Sequence, residues 1–291
     1  MLTPVLKSLR PHQWIKNLFV AAPLVFSRRV GDVSADLHAA AAVAAFCLLS
    51  SAVYLLNDLI DIDKDRAHPT KRNRPLASGL LSLPAGKILA FALAAVGLTV
   101  AGLIDLRVLV TAAGYLVLNT AYSLSLKKVA FLDVACISLG FLLRVVAGAM
   151  AISVPPSRWL LLCTLLLSAL LGFGKRAHEL RVSGETGREQ RDVLGHYNPQ
   201  VLNRLLGLLG LLTTATYFAY TQSRHATEMF RTRGLALTVP FVGFGIYRFI
   251  AISRGKVDAE SPTDSMLRDP PFLTNLTLYA AAVFLILYLA G

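Results

Sequence analysis

A chain of 291 residues with 55% hydrophobic residues, mean hydropathy +0.59 and a net charge of +12 is not an ordinary soluble domain. Its apolar residues come in long runs, which predicts an all-α fold: a multi-span helical bundle integral to a membrane. The basic excess sits in short segments between those runs and forms no stripe, so it argues against nucleic acid and for membrane orientation, anionic lipid and phosphate substrates.

Residues 1 to 16, with Lys7, Arg10, Trp14 and Lys16, read as a basic interfacial lead-in. A short span interrupted by Pro23 is expected at 17–30. The Arg28-Arg29 pair follows without a small-residue cleavage site, so the segment is expected to be retained and not removed as a signal peptide. Further apolar spans are expected near 38–57, 84–104, 107–126, 131–152, 158–174, 201–221, 233–252 and 271–290, about nine in all. Pro155-Pro156 separates the fifth from the sixth. These spans make one domain over residues 1–291, with polar cap segments at about 57–84 and 175–200. Cys47, Cys136 and Cys163 lie inside apolar runs without metal-ligand spacing, which implies neither a disulfide framework nor zinc.

With nine spans the termini fall on opposite sides. Lys and Arg concentrate on the side that holds residues 1–16, 64–87, 127–128, 175–204 and 248–268, while Arg28, Arg29, Arg107, Arg158, Arg224, Arg231 and Arg233 occupy the other. That bias predicts the amino terminus inside, the carboxyl terminus outside and every polar candidate segment on the cytoplasmic face; with the second and sixth spans both ending there in such segments, the bundle is expected to hold one central cleft facing the cytoplasm.

The first such segment is YLLNDLIDIDKDRAHPTKRNRPLASG, residues 54 to 79. Asn57, Asp61 and Asp65 recur every four residues and Asp58 precedes Asp65 by seven, so a continuing helix holds all four on one broad face. Oxygen donors in a partial set suit Mg²⁺ shared with a diphosphate, and Arg66, Lys71, Arg72 and Arg74 follow as candidate phosphate ligands. The plain alternative is a solvated mixed-charge loop between two membrane helices.

The second segment, residues 121 to 134, carries Tyr122, Lys127 and Asp133. Lys127 is a candidate phosphate contact, while Asp133 suits a helix start regardless of function. Arg144 lies deep in the apolar run after it, where a charged side chain faces a cavity or a partner: substrate contact and an ion pair that only orients the bundle are both open. The third segment, residues 172 to 198, brings Lys175, Arg176 and Glu179 to the end of a span; Lys175 and Glu179 have pairing distance and Arg176 is expected to face elsewhere. The polar stretch from 181 to 196 reads as a cap or a linker. His12, His38, His68, His178, His196 and His225 share no ligand spacing and are read as interfacial or structural, and the loop bearing Asp258, Glu260, Asp264 and Asp269 as a surface loop.

Asn57-Asp58-x-x-Asp61-x-x-x-Asp65, followed by His68-Pro69-x-Lys71 and Arg74-Pro75, resembles the first aspartate-rich motif of the UbiA-type intramembrane prenyltransferase superfamily, whose members bind Mg²⁺-diphosphate there. The family's second motif, Asp-x-x-x-Asp, is replaced here by Lys175-Arg176-Ala177-His178-Glu179. Together with RPHQWIKN at 10–17 and YSLSLK at 122–127, the pattern resembles the decaprenyl-phosphate phosphoribosyltransferase branch over essentially the whole chain. The resemblance implies transfer of 5-phosphoribose from phosphoribosyl pyrophosphate (PRPP) to a polyprenyl phosphate in the membrane, with Mg²⁺ as cofactor. It implies Asn57, Asp58, Asp61 and Asp65 at the metal, and Asp58, Asp61, Lys71 and Arg74 at the reacting diphosphate. Lys16, Asn17, Tyr122, Lys127, Arg144, Lys175, Arg176 and Glu179 become substrate-binding candidates. Two other readings stay open: a prenyltransferase acting on an aromatic acceptor, and a membrane transporter or scaffold without catalysis.

Overall fold

The computed structural model describes residues 2–182, 192–255, 262–266 and 268–289, and every regular element among them is helical. Most of the polar stretch expected over 181–196, and Asp258 and Glu260 of the last loop, lie outside the described residues. The chain divides into two compact units, residues 1–127 with 139–157 and residues 128–138 with 158–291.

In the first unit, α1 (Leu2–Leu9) leads into a ten-residue 3-10 helix, Pro11–Val20, and then α2 (Ala22–Phe26). The long helix α3 (Val33–Ile60) starts where the Asp32 carboxylate accepts the backbone N–H groups of Ser34 and Ala35, satisfying donors that a first turn leaves open. Its alanine-rich run then continues until Asp61, where α4 (Ile62–Ala67) takes over at a shallow bend. Ser82 caps α5 (Leu83–Ile104) and Asp105 caps α6 (Leu106–Leu124) in the same manner. The helix α7 (Leu132–Ala151) gives its second half to this unit, whose core is built from Phe46, Leu49, Val53, Tyr115 and Ala147.

The second unit contains the first turns of α7, then α8 (Arg158–Val182), a 3-10 turn at Asp192–His196, α9 (Pro199–Gln222) and α10 (Arg224–Phe230). It ends with α11 (Val239–Arg254), α12 (Pro262–Met266) and α13 (Pro270–Phe284). Leu170, Leu202, Leu206 and Phe249 fill its core. Gly174 is required there, since a Cβ at that position would lie 2.3 Å from the Phe249 ring. Small residues at such crossings let membrane helices approach closely, which is where their packing energy comes from when lipid is the alternative surrounding.

Seven helices among the described residues are long and apolar enough to cross a membrane. Their outer faces carry Phe91 at 77% and Leu103 at 82% exposure, as a lipid-facing surface requires. The chain is an integral membrane protein. Two of the nine expected spans are not among these seven, and one of the two takes a different form. Residues 107–126 do form a helix, α6, but Arg107 and Asn119 dilute its apolar run and it is not among the seven. Residues 17–30 form no single α-helix, because the chain is stretched into the 3-10 helix before Ala21 and Pro23 opens a separate short turn.

The chain from Arg10 to Arg29 nevertheless runs antiparallel along most of α3. Arg10 meets Asp58, Trp14 meets Ser51, Asn17 meets Ser50, and Arg29 reaches Asp32 at the start of the helix. A 3-10 helix rises about 2.0 Å per residue against 1.5 Å for an α-helix, so ten residues cover about 20 Å. On the other side, Gly148 of α7 lets the segment in: a Cβ there would fall 1.8 Å from the Val20 carbonyl oxygen.

Candidate functional site

The helical phase survives the bend at Asp61. Asp61 N–H donates to Asn57 O at 2.9 Å and Asp65 N–H to Asp61 O at 2.8 Å, so Asn57, Asp58, Asp61 and Asp65 keep the common side their spacing requires. Side-chain contacts sort them into two pairs. Lys127 Nζ donates to Asn57 Oδ1 at 3.2 Å and to the Asp61 carboxylate at 2.8 and 2.6 Å. Arg74 Nη1 donates to Asp58 Oδ1 at 3.1 Å and to Asp65 Oδ2 at 2.7 Å. Asp58 and Asp65 are almost fully buried, at 3% and 4% exposure, where acidic groups are found paired with cations.

A third cation comes from the amino-terminal lead-in. Arg10 Nη2 donates to both Asp58 oxygens, at 2.6 and 2.9 Å, and its guanidinium lies 5.1 Å from the Tyr54 ring centre. Its backbone is left-handed, φ 52° and ψ 59°, a conformation that costs a non-glycine residue energy and turns the chain sharply from α1 into the 3-10 helix. From the sequence alone Arg10 reads as an interfacial charge, and its place directly before Pro11 in RPHQWIKN is the local sign of a further role.

Around this cluster the other expected residues take definite places. His68 Nδ1 accepts the Thr70 and Lys71 N–H groups at 3.3 and 3.4 Å, ordering the basic loop that ends in Arg74. Lys71 opens the 3-10 turn Lys71–Asn73, and Lys16 donates to Gln13. Tyr122 sits in the last turn of α6, just before Lys127. Deeper in the unit, Arg144 is 6% exposed and Asn17 fully buried. Arg144 donates through Nε to Asn17 Oδ1 at 2.8 Å, through Nη1 to Gly140 O at 3.0 Å and through Nη2 to Tyr115 Oη at 2.9 Å. Its guanidinium also lies 4.6 Å from the Tyr115 ring centre and 5.3 Å from that of Phe141. The ion pair considered for it is absent among the described residues: neutral acceptors and aromatic faces hold this charge.

In the second unit, Asp133, Arg176 and Tyr197 form a separate buried network. Arg176 Nε donates to Asp133 Oδ2 at 2.6 Å, Tyr197 Oη donates to Asp133 Oδ1 at 2.6 Å and accepts the Phe131 N–H at 2.7 Å. Arg176 also pairs with Glu179, one turn along α8. Arg176 was expected to face away from Glu179; spacing of three residues brings the two together instead. Burial and the bond to Asp133 push the Tyr197 phenol above its usual range, so it remains a donor. Neither Asp133 as a network centre nor Tyr197 was singled out from the sequence. Lys175 precedes Arg176 on α8.

No group of three or more His, Cys, Asp or Glu side chains converges as a metal site among the described residues. The donor set still fits a hard divalent cation. Asn57 Oδ1 and both Asp61 oxygens converge on one ammonium, and Asp58 with Asp65 on one guanidinium nitrogen, so both oxygen groups are already arranged around positive charge. All donors are oxygen and too few to enclose the ion, which leaves coordination positions for water and phosphate.

The UbiA prenyltransferase family profile matches residues 17–177. A decaprenyl-phosphate phosphoribosyltransferase of Mycolicibacterium smegmatis is 36% identical over 230 residues, 77% of this chain and 72% of that protein. One of Corynebacterium glutamicum is 32% identical over 277 residues, 91% of this chain and 81% of that protein. The fold is that of a UbiA homologue from Archaeoglobus fulgidus solved with DMAPP and Mg²⁺, with a TM-score of 0.72 at 19% identity over 98% of this chain and 99% of the other. The chain therefore belongs to the UbiA prenyltransferase family.

Proposed function

We propose that this protein transfers 5-phosphoribose from PRPP to a polyprenyl phosphate and releases diphosphate, at the cluster formed by Asn57, Asp58, Asp61 and Asp65 with Arg10, Arg74 and Lys127. The observation that carries this reading is the charge arrangement itself: three acids and one amide held by three cations at the end of a membrane-spanning helix. The relatives named above, similar over most of their length, support the choice of donor and acceptor.

Asn57, Asp58, Asp61 and Asp65 would hold Mg²⁺, which when bound supplies charge neutralisation on the departing diphosphate. Arg10, Arg74 and Lys127 turn from the carboxylates toward the phosphate oxygens and stabilise the same charge, with Lys71 and Lys16 as further phosphate contacts. The lipid phosphate oxygen attacks C1 of the ribose, forming the new C1–O bond as the bond to diphosphate breaks. The nucleophile is already an anion, so no general base is needed and catalysis lies in positioning and charge. The bias of Lys and Arg in the sequence supports a cytoplasmic orientation of the cluster, with the polyprenyl tail in the bilayer.

One observation favours this donor over a prenyl diphosphate. In the region of the family's second aspartate motif, the two nearby acids Asp133 and Glu179 are both bound by Arg176. The test is purified protein with labelled PRPP and Mg²⁺, with and without polyprenyl phosphate. Acceptor-dependent diphosphate release and a labelled lipid are expected, and both are lost in Asp61→Ala protein that keeps its helical content. Consumption of a prenyl diphosphate with an aromatic acceptor, or no turnover of either donor, would replace the proposal.

A further inference from the structure

Arg144 lies far along α7 from its first turn, yet a chain of side-chain contacts links it to the acid cluster within the first unit. It donates to Asn17 Oδ1 at 2.8 Å, and Asn17 Nδ2 donates to Ser50 Oγ at 3.1 Å and Cys47 Sγ at 3.3 Å. One turn back along the 3-10 helix, Trp14 Nε1 donates to Ser51 Oγ at 3.0 Å, and Ser51 Oγ donates to Leu9 O at 2.8 Å. The next residue is Arg10, on Asp58. These bonds are the polar pegs between the 3-10 helix and α3, and Asn17 is the peg that a third element holds from behind.

We infer that Arg144 is a positioning residue: through Asn17 it sets the seat of the 3-10 helix on α3, and so places Arg10 against Asp58. Its catalytic consequence rests on the function proposed above; its structural consequence does not. Three features favour this over direct substrate contact. Each of its guanidinium nitrogens donates to protein, two aromatic rings flank it, and its Nε partner belongs to the segment that carries Arg10. A ten-residue 3-10 helix is longer than its own hydrogen bonding usually sustains, so this one depends on outside anchors to keep its register.

The chain has two tryptophans, Trp14 and Trp159, so a Trp159→Phe background leaves Trp14 as a reporter on the 3-10 helix. In that background Arg144→Met and Asn17→Ala should each red-shift Trp14 emission and increase its quenching by acrylamide, with helical content kept. Arg144→Lys, which keeps the charge but cannot span Asn17 and Tyr115 together, should shift it less. Unchanged emission would overturn the inference. So would loss of helix in step with the emission change, which would make Arg144 a general core staple.

The second arm is a double-mutant cycle on transfer activity. Misplacing Arg10 should cost roughly tenfold to 10²-fold in kcat for Arg144→Met, and the same substitution should cost nothing further in an Arg10→Ala background. Additive losses would assign Arg144 to substrate instead. If the wild-type protein transfers no phosphoribose, the functional reading fails while the emission arm still decides the positioning role.

Discussion

Lys127 reaches back 66 residues along the chain to place its ammonium 2.6 and 2.8 Å from the two oxygens of Asp61. The pair is partly exposed, at 13% and 23%, so it can open without leaving a charge stranded in a dry interior. An ammonium and a divalent cation compete for that carboxylate. Lys127→Met should therefore bind Mg²⁺ more tightly in the absence of PRPP, yet transfer phosphoribose about 10²-fold more slowly, since one stabiliser of the leaving group is gone. Calorimetric titration with metal alone, set beside turnover, checks the opposite signs; a parallel fall in both would sink the assignment.

Arg74 is shared by two buried carboxylates, Asp58, which Arg10 also holds, and Asp65. Removing it in Arg74→Ala should destabilise the protein by about 3 kcal/mol, because breaking a buried pair leaves an uncompensated charge. Adding Asp65→Asn should restore much of that stability without restoring activity. Thermal unfolding in detergent measures the first effect and lipid-linked product the second.

Tyr197 satisfies two partners at once, the Asp133 carboxylate and the Phe131 N–H. Tyr197→Phe should cost about 1–3 kcal/mol, the penalty for unsatisfied buried groups. Phe131 has a left-handed backbone, φ 65°, which a phenylalanine adopts only when neighbours hold it there. Hydrogen exchange at the start of α7 should accordingly quicken more in this variant than exchange in α3.

Gly148→Ala tests the seat of the 3-10 helix from the opposite side. A methyl group 1.8 Å from the Val20 carbonyl oxygen cannot be accommodated by a side-chain rotation, because the neighbour is backbone. Either the segment moves off α3 or the protein loses stability, by ~1–3 kcal/mol or more for such overpacking. Trp14 emission and Tm together report which occurs; a variant unchanged in both would contradict the close approach.

Much of the fold is legible in periodicity because a membrane permits few solutions: an apolar run long enough to span must satisfy its own backbone, and a helix does so. That reasoning placed α3, α5, α6, α7, α8, α9, α11 and α13 to within about eight residues at their ends. It failed at 17–30, where hydropathy recognises an apolar run but not whether the chain is coiled at 1.5 or 2.0 Å per residue. The 3-10 form is set by partners on α3 and by the opening at Gly148, neither of which is local.

The acid cluster divides along the same line. The spacing of Asn57, Asp58, Asp61 and Asp65 determined by itself that these groups share a side, since helical phase is a property of the local chain. Which cation each would meet was decided only by tertiary structure. Arg10 and Lys127 arrive from 48 and 66 residues away, and Tyr197 reaches Asp133 across 64. A charge in sequence carries no address: its partner is chosen when packing closes off water and leaves a carboxylate one direction in which to be neutralised.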